Sequence, residues 1–193
     1  MPYQEKNILI NEGGAVRLNY QNFINIAKKS NLFSIRIIGK IIQTVGGNEY
    51  APKRKKTYDL ISFLFTKNFK KKSLGNVNIS LCQGDLFFIR ENRNLNFDFN
   101  IKKNNYYIFD GRFLVKSPFA GKLIKCNDSD MSVIDNKSPF HKYGHWINNT
   151  IPYLETLEGK TIKPHLNIIK QNIIPNNVKD ESFSLYLLNR ILV

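Results

Sequence analysis

The chain has 193 residues, with 29 Lys and Arg against 15 Asp and Glu, a formal net charge of +14, 42% hydrophobic residues and 12% aromatic ones. This is long enough to bury a core without disulfides or metal, and too apolar and aromatic for a disordered tail. No run approaches the roughly 18 apolar residues of a membrane helix, and collagen, coiled coil and disulfide-stapled toxin are excluded as well.

Ile8 to Ile10, a turn at Asn11–Gly14 and a return over Ala15–Leu18 predict a small hairpin. Tyr20 to Lys29 has helical spacing, with Phe23, Ile24, Ile26 and Ala27 on one side. Ser30 and Asn31 are good N-cap residues. They open a helix from Leu32 to about Val45, with Leu32, Ile35, Ile38, Ile41, Ile42 and Val45 inward and Arg36, Lys40 and Gln43 outward. Gly46-Gly47 ends it, because Gly takes the left-handed conformation without a Cβ penalty. A third helix is expected from Arg54 to about Phe65, then a basic linker over Lys67–Lys72 and a domain boundary near residue 70.

Beyond that point the period becomes strand-like. Val77–Leu81 alternates, Gln83-Gly84-Asp85 turns, and Leu86–Arg90 returns. Tyr106–Phe109 and Arg112–Val115 flank Asp110-Gly111, which suits a type I′ hairpin turn. Gly121–Lys125 is a candidate strand, and Pro118, Pro139 and Gly144 mark loops. Ile151–Leu157 reads as a short helix capped by Asn149 or Thr150. Thr161–Ile169 reads as a strand interrupted by Pro164, and Ser182–Val193 as a final helix or a frayed tail. The fold class expected is α+β: a small helical part over residues 1–70, then a mostly antiparallel β domain over 71–193.

Cys82 and Cys126 are far apart and read as thiols of a reducing cytosol. Met1 to Lys6 lacks the basic-then-apolar order of a secretory signal. The expected location is therefore cytoplasmic, with no membrane partner.

The charge is unevenly placed. Acids in the first 72 residues are Glu5, Glu12, Glu49 and Asp59, facing Lys28, Lys29, Arg36, Lys40, Lys53–Lys56 and Lys70–Lys72 among others. So one-sided a front points to a phosphate-bearing partner. Lys53-Arg54-Lys55-Lys56 enters a helix whose first turn also offers free N–H groups to a phosphate. If roughly six such cations met phosphates, affinity would fall on the order of a thousandfold between 50 and 200 mM salt. Tyr106, Tyr107, Phe109 and Phe113 with Arg112 read as core packing or as a base-stacking platform. His141 and His145 have a zinc-compatible spacing but lack a CxxC pair. No phosphate-binding loop, dinucleotide fingerprint or hydrolase elbow occurs. No catalytic, cofactor or metal residue is nominated.

One order of segments is more specific than any of these motifs. Asn11–Leu18 leads to the helix ending at Val45, and Gly46-Gly47-Asn48-Glu49-Tyr50-Ala51-Pro52-Lys53-Arg54 follows at once. Ser73-Leu74-Gly75-Asn76 opens a strand, Arg90-Glu91 closes the next, and Phe109-Asp110-Gly111-Arg112-Phe113 comes after. Over about residues 8–115 this resembles the C-terminal region of the tRNA(Ile)-lysidine synthases of one bacterial branch. Asn76 stands where that pattern has a second Gly, and Lys53 precedes Arg54 where one basic residue would suffice.

The resemblance implies a part in tRNA modification. That family ligates lysine to the wobble cytidine of an isoleucine tRNA, with ATP and Mg bound by an N-terminal domain carrying a Ser-Gly-Gly-x-Asp-Ser loop. No such loop occurs here, so what carries over is the holding of tRNA, with chemistry supplied by a separately encoded or missing catalytic domain. The RNA contacts expected are Arg36, Lys40, Lys53, Arg54, Lys55, Lys70, Lys71, Lys72 and Arg112. The alternatives are a non-enzymatic RNA- or ribosome-binding module and a degenerate fragment.

Overall fold

A computed structural model describes residues 8–11, 13–66, 68–93, 95–125, 133–135, 137–169 and 182–188. The first hairpin pairs β1 (Ile8–Ile10) with β2 (Val16–Asn19). Asn11 closes its turn, its side-chain oxygen accepting from the Ala15 N–H at 2.9 Å. Three helices follow: α1 (Tyr20–Lys29), α2 (Asn31–Gly46) and α3 (Arg54–Leu64). Asn19 caps α1 by accepting from the Asn22 N–H, and Ser30 caps α2 by accepting from Phe33. Gly47, at φ +65°, ends α2.

β3 (Lys71–Leu74), β4 (Val77–Cys82) and β5 (Asp85–Arg90) then pair with the opening hairpin. The result is an antiparallel sheet of order β1-β2-β5-β4-β3. Strand alternation divides its two faces. Val16, Leu18, Val77, Ile79, Leu86 and Phe88 meet Phe23, Ile38, Ile41, Ile42, Val45, Leu60, Ile61 and Leu64 of the helices in one core. Phe87 and Ile89, on the other face, belong to a second core.

The remaining elements are β6 (Phe99–Ile101), β7 (Tyr106–Phe109), β8 (Phe113–Lys116), β9 (Gly121–Lys125), α4 (Gly144–Asn148), β10 (Pro152–Thr156), β11 (Thr161–Ile162), β12 (His165–Ile169) and β13 (Ser184–Leu188). They form two four-stranded sheets, β11-β10-β9-β6 and β12-β13-β8-β7, in which only the β12–β13 pair is parallel. Both sheets share the second core, which holds Ile101, Phe113, Val115, Leu123, Tyr153, Leu154, Leu185 and Leu187. The fold is α+β. Among the described residues no helix is long and apolar enough to cross a membrane.

Four expectations change. The cores do not divide near residue 70, because β2 pairs with β5 and the first core runs from Val16 to Phe88. Lys71–Leu74 is an edge strand, not a linker. Pro152–Thr156 is a strand flanked by β9 and β11, not a helix, and Ser184–Leu188 is a buried strand between β12 and β8. Cys126, Lys67 and the chain end after Leu188 lie outside the described residues.

Three turns meet where the two halves join. The β3–β4 turn has Gly75 and Asn76 at φ +57° and +62°, and the β7–β8 turn has Asp110 and Gly111 at +51° and +61°. The first is a two-residue loop and the second places three residues between the paired Phe109 and Phe113, and in each two successive residues take positive φ, which fits the twist of the strands they connect. The end of α2 packs against both. A Cβ on Gly46 would lie 2.1 Å from the Gly75 carbonyl oxygen, and one on Gly47 only 1.9 Å from that of Asp110. The Asn48 amide donates to the Gly75 carbonyl at 2.8 Å, and the Asn76 amide donates back to Asn48 at 3.3 Å.

Beneath these turns lies one carboxylate. Asp110 accepts from Arg90 Nε at 2.9 Å and Nη2 at 2.8 Å, and from Arg112 Nε at 2.7 Å. Arg112 donates further to the Thr150 carbonyl, and its guanidinium lies 4.7 Å from the centre of the Phe113 ring. Burial pushes the Arg112 pKa down to about 10. Asp110 opposes that shift and Arg90 adds to it, and the group stays charged at neutral pH.

Gly84 also has positive φ, +82°, but a Cβ there meets nothing within 4 Å. Gly84→Ala is therefore expected to lower stability by about 1 kcal/mol, the left-handed penalty alone. Gly47→Ala is expected to lower it by about 3 kcal/mol or more, because the joint must open too. Urea unfolding of the two variants measures the difference, and equal losses would contradict a tight joint.

Candidate nucleic-acid interface

The helical layer over residues 20–66 carries Lys28, Lys29, Arg36, Lys40, Lys53, Arg54, Lys55 and Lys56 against Glu49 and Asp59. None of these eight cations is in an ion pair among the described residues. Their exposure follows from the helical period. The inward stripe of α2 is Ser34, Ile38, Ile41, Ile42 and Val45, which leaves Arg36 exposed and Lys40 half-buried one turn apart on the outer side.

Lys53, Arg54, Lys55 and Lys56 are all exposed at the start of α3. Ala51 lies against Gly39, so the chain folds back along α2 and this run begins two residues beyond that contact. Lys53 is the N-cap residue and makes no side-chain cap hydrogen bond, and the first turn has no acid. Four positive charges therefore stand at the positive end of a helix dipole whose leading N–H groups have no side-chain acceptor. That is unfavourable for the helix alone and favourable for an incoming phosphate. Tyr50, 74% exposed, and Tyr58, 48% exposed, flank the run with ring surface.

The other expected contacts separate. Lys70 is exposed just before the edge strand β3. Lys71 and Lys72 point to opposite faces of β3. Lys72 turns to the helical side, 5.0 Å from the centre of the Phe63 ring, in a cleft with Lys56 and Asp59. Lys71 turns to the other side, 4.8 Å from the centre of Trp146. Arg112 is a correction. Its side chain has no exposed surface and is committed to Asp110 and Thr150, so it positions turns and does not meet a phosphate.

The aromatic set of the second hairpin divides by alternation. Phe109 and Phe113 are buried. Tyr107 is half-buried with its hydroxyl accepting from the Lys102 N–H at 2.8 Å, and Tyr106 is exposed beneath Lys116. His145 pairs with the Asn149 amide at 2.9 Å, and no grouping of three His, Cys, Asp or Glu able to hold a metal occurs among the described residues. Sequence reasoning missed Trp146, whose indole is 46% exposed beside Lys71. It also missed Lys142, which donates to the Cys82 sulfur at 3.1 Å and whose pKa is raised chiefly by that contact. No local spacing announces either pair, because each joins the first sheet to the α4 segment.

No protein-family model, curated protein or solved structure matches this chain.

Lys53→Asp supplies both an N-cap acceptor and a favourable dipole partner. It is expected to raise stability by about 1 kcal/mol in thermal unfolding. A fall in melting temperature would contradict an uncapped, electrostatically unfavourable start of α3.

Proposed function

We propose that this chain is a tRNA-holding module, the C-terminal portion of a tRNA(Ile)-lysidine synthase whose adenylating chemistry resides on a separate domain. The observation that carries this reading is the helical layer itself. Arg36, Lys40 and the Lys53–Lys56 run stand without acidic partners on one layer, around a helix start with no side-chain cap. Such contacts grip the sugar-phosphate framework and set register, with no reading of bases.

The joint between the halves supports the family reading. The segments that resemble the synthase pattern, Gly46–Arg54, Ser73–Asn76, Arg90-Glu91 and Phe109–Phe113, are distant in sequence and meet at one place. Asn48 binds Gly75, the Glu91 N–H donates to Asn76, Arg90 binds Asp110, and Gly47 touches Asp110. A single packing requirement thus links all four.

The test is a mobility-shift titration of isoleucine tRNA with the native chain and with Lys53→Glu/Arg54→Glu/Lys55→Glu. The triple variant is expected to bind on the order of tenfold more weakly or worse. Its fold is checked by far-UV circular dichroism. Unchanged affinity in a folded triple variant would remove the proposed surface. An unrelated RNA duplex that competes as well as tRNA would favour a general RNA-binding module.

A further inference from the structure

The first sheet has a second functional-looking face, opposite the helices. There a cleft of about 250 Å³ is lined by Lys71, Asn78, Arg90, Asn92, His145, Trp146 and Asn149. It lies between the β3–β4 edge and α4. Its chemistry differs from that of the helical layer: among the described residues no carboxylate lines it, three amides and an imidazole do, and its largest apolar surface is one half-exposed indole.

The indole is braced. Tyr143 meets it edge-on, with centroids 6.1 Å apart and planes at 60°, and Tyr143 in turn packs on Phe87 at 4.7 Å. The Tyr143 hydroxyl oxygen also accepts from the Ser80 hydroxyl at 3.2 Å, which ties it to the sheet. The stacking surface is therefore fixed before any ligand arrives, and 46% of Trp146 remains open. Arg90 is already held by Asp110 and by the Asn76 and Glu91 carbonyls. Lys71 is not in an ion pair among the described residues, and its ammonium can leave the ring for a phosphate. Asn78 accepts from Ser73 through its side-chain oxygen at 2.8 Å, which leaves its amide N–H groups to donate.

A braced, half-open indole beside a lysine and several amides suits one unpaired nucleotide. Stacking on an aromatic ring is tolerant of base identity, while the lysine takes the phosphate and the amides meet base edges. An anion without a base would leave the indole wet, and an acidic peptide would leave the ring face unused. We propose that the Trp146 cleft binds a single unpaired nucleotide, its base against the indole and its phosphate on Lys71. This rests on the RNA-binding reading and deepens it. The helical layer holds backbone on one face of the sheet, and the cleft takes an extruded or terminal base on the other, around the exposed edge strand.

Trp146 is the chain's single tryptophan, so its fluorescence reports this cleft alone. The native chain is titrated with tetra-adenylate RNA and, separately, with tripolyphosphate, a polyanion without bases. Saturable quenching is expected with tetra-adenylate and not with tripolyphosphate. Lys71→Ala keeps the reporter and is expected to weaken tetra-adenylate about fivefold at 0.1 M salt, whereas Lys160→Ala, an equal loss of charge elsewhere, does not. Trp146→Ala, read by anisotropy of labelled tetra-adenylate, is expected to weaken it about fivefold or more. The Lys53, Arg54 and Lys55 charge-reversal variant separates the two readings. Retained quenching there places the tetranucleotide in the cleft even if tRNA binding on the helical layer fails. Absent quenching, equal quenching by tripolyphosphate, equal effects of Lys71→Ala and Lys160→Ala, or loss of quenching in the charge-reversal variant would each overturn the cleft assignment.

Discussion

The structure depends on one largely covered carboxylate. Asp110 sits at a hairpin tip in a backbone conformation that disfavours most side chains, yet it holds Arg90 and the fully buried Arg112 at once. Arg90 closes the first sheet. Arg112 reaches Thr150, after α4, and touches the Gly14 turn of the opening hairpin. The helical half and the β half are thereby joined through ionic hydrogen bonds, not apolar contact alone. A buried ion group of this kind is weak evidence for extra stability, but loss of one partner leaves a buried charge uncompensated, typically at a cost of about 3–5 kcal/mol.

This arrangement changes the meaning of the basic composition. Arg90 and Arg112 are cations by formula and joint-forming groups by position. Arg17 is likewise committed, to Asp85 at 2.6 Å. With these set aside, eight cations of the helical layer stand without ion pairs among the described residues, and Lys70, Lys71, Lys72, Lys102, Lys103 and Lys160 stand likewise outside it. The sheet's arginines are held by Asp85 and Asp110, while the helices bury mainly apolar stripes, with Ser34, Thr44 and Thr57 among them, and leave their cations exposed or, for Lys40, half-buried.

Local features were legible and non-local ones were not. Ser30 before an i, i+3, i+4 apolar stripe and Gly47 after it fix α2 by rules that act within a few residues, and the helix runs Asn31–Gly46. Asp110-Gly111 announces its turn for the same reason. The edge strand β3 was missed because its residues are exposed and charged, with no alternation. The signal that could have found it is Gly75-Asn76, a two-residue turn that requires a strand on both sides. Pro152–Thr156 was misread because its first three residues are all buried, which erases the period-two pattern. Ser184–Leu188 owes its state to β8 and β12, partners no window contains. At the candidate interface, Lys53–Lys56 could be read from spacing and capping alone. The fate of Arg112, and the split of Lys71 from Lys72, depend on register and on a turn more than a hundred residues from the start of the chain.

On the proposed reading, about six unpaired cations of the helical layer meet phosphates, and counterion release counts such contacts directly. The slope of log affinity for tRNA against log salt concentration is therefore the deciding measurement. About six contacts predict a slope near −4 to −5. A slope close to zero, or one unchanged when Arg36, Lys40 and Lys53–Lys56 are neutralised together, would contradict the account.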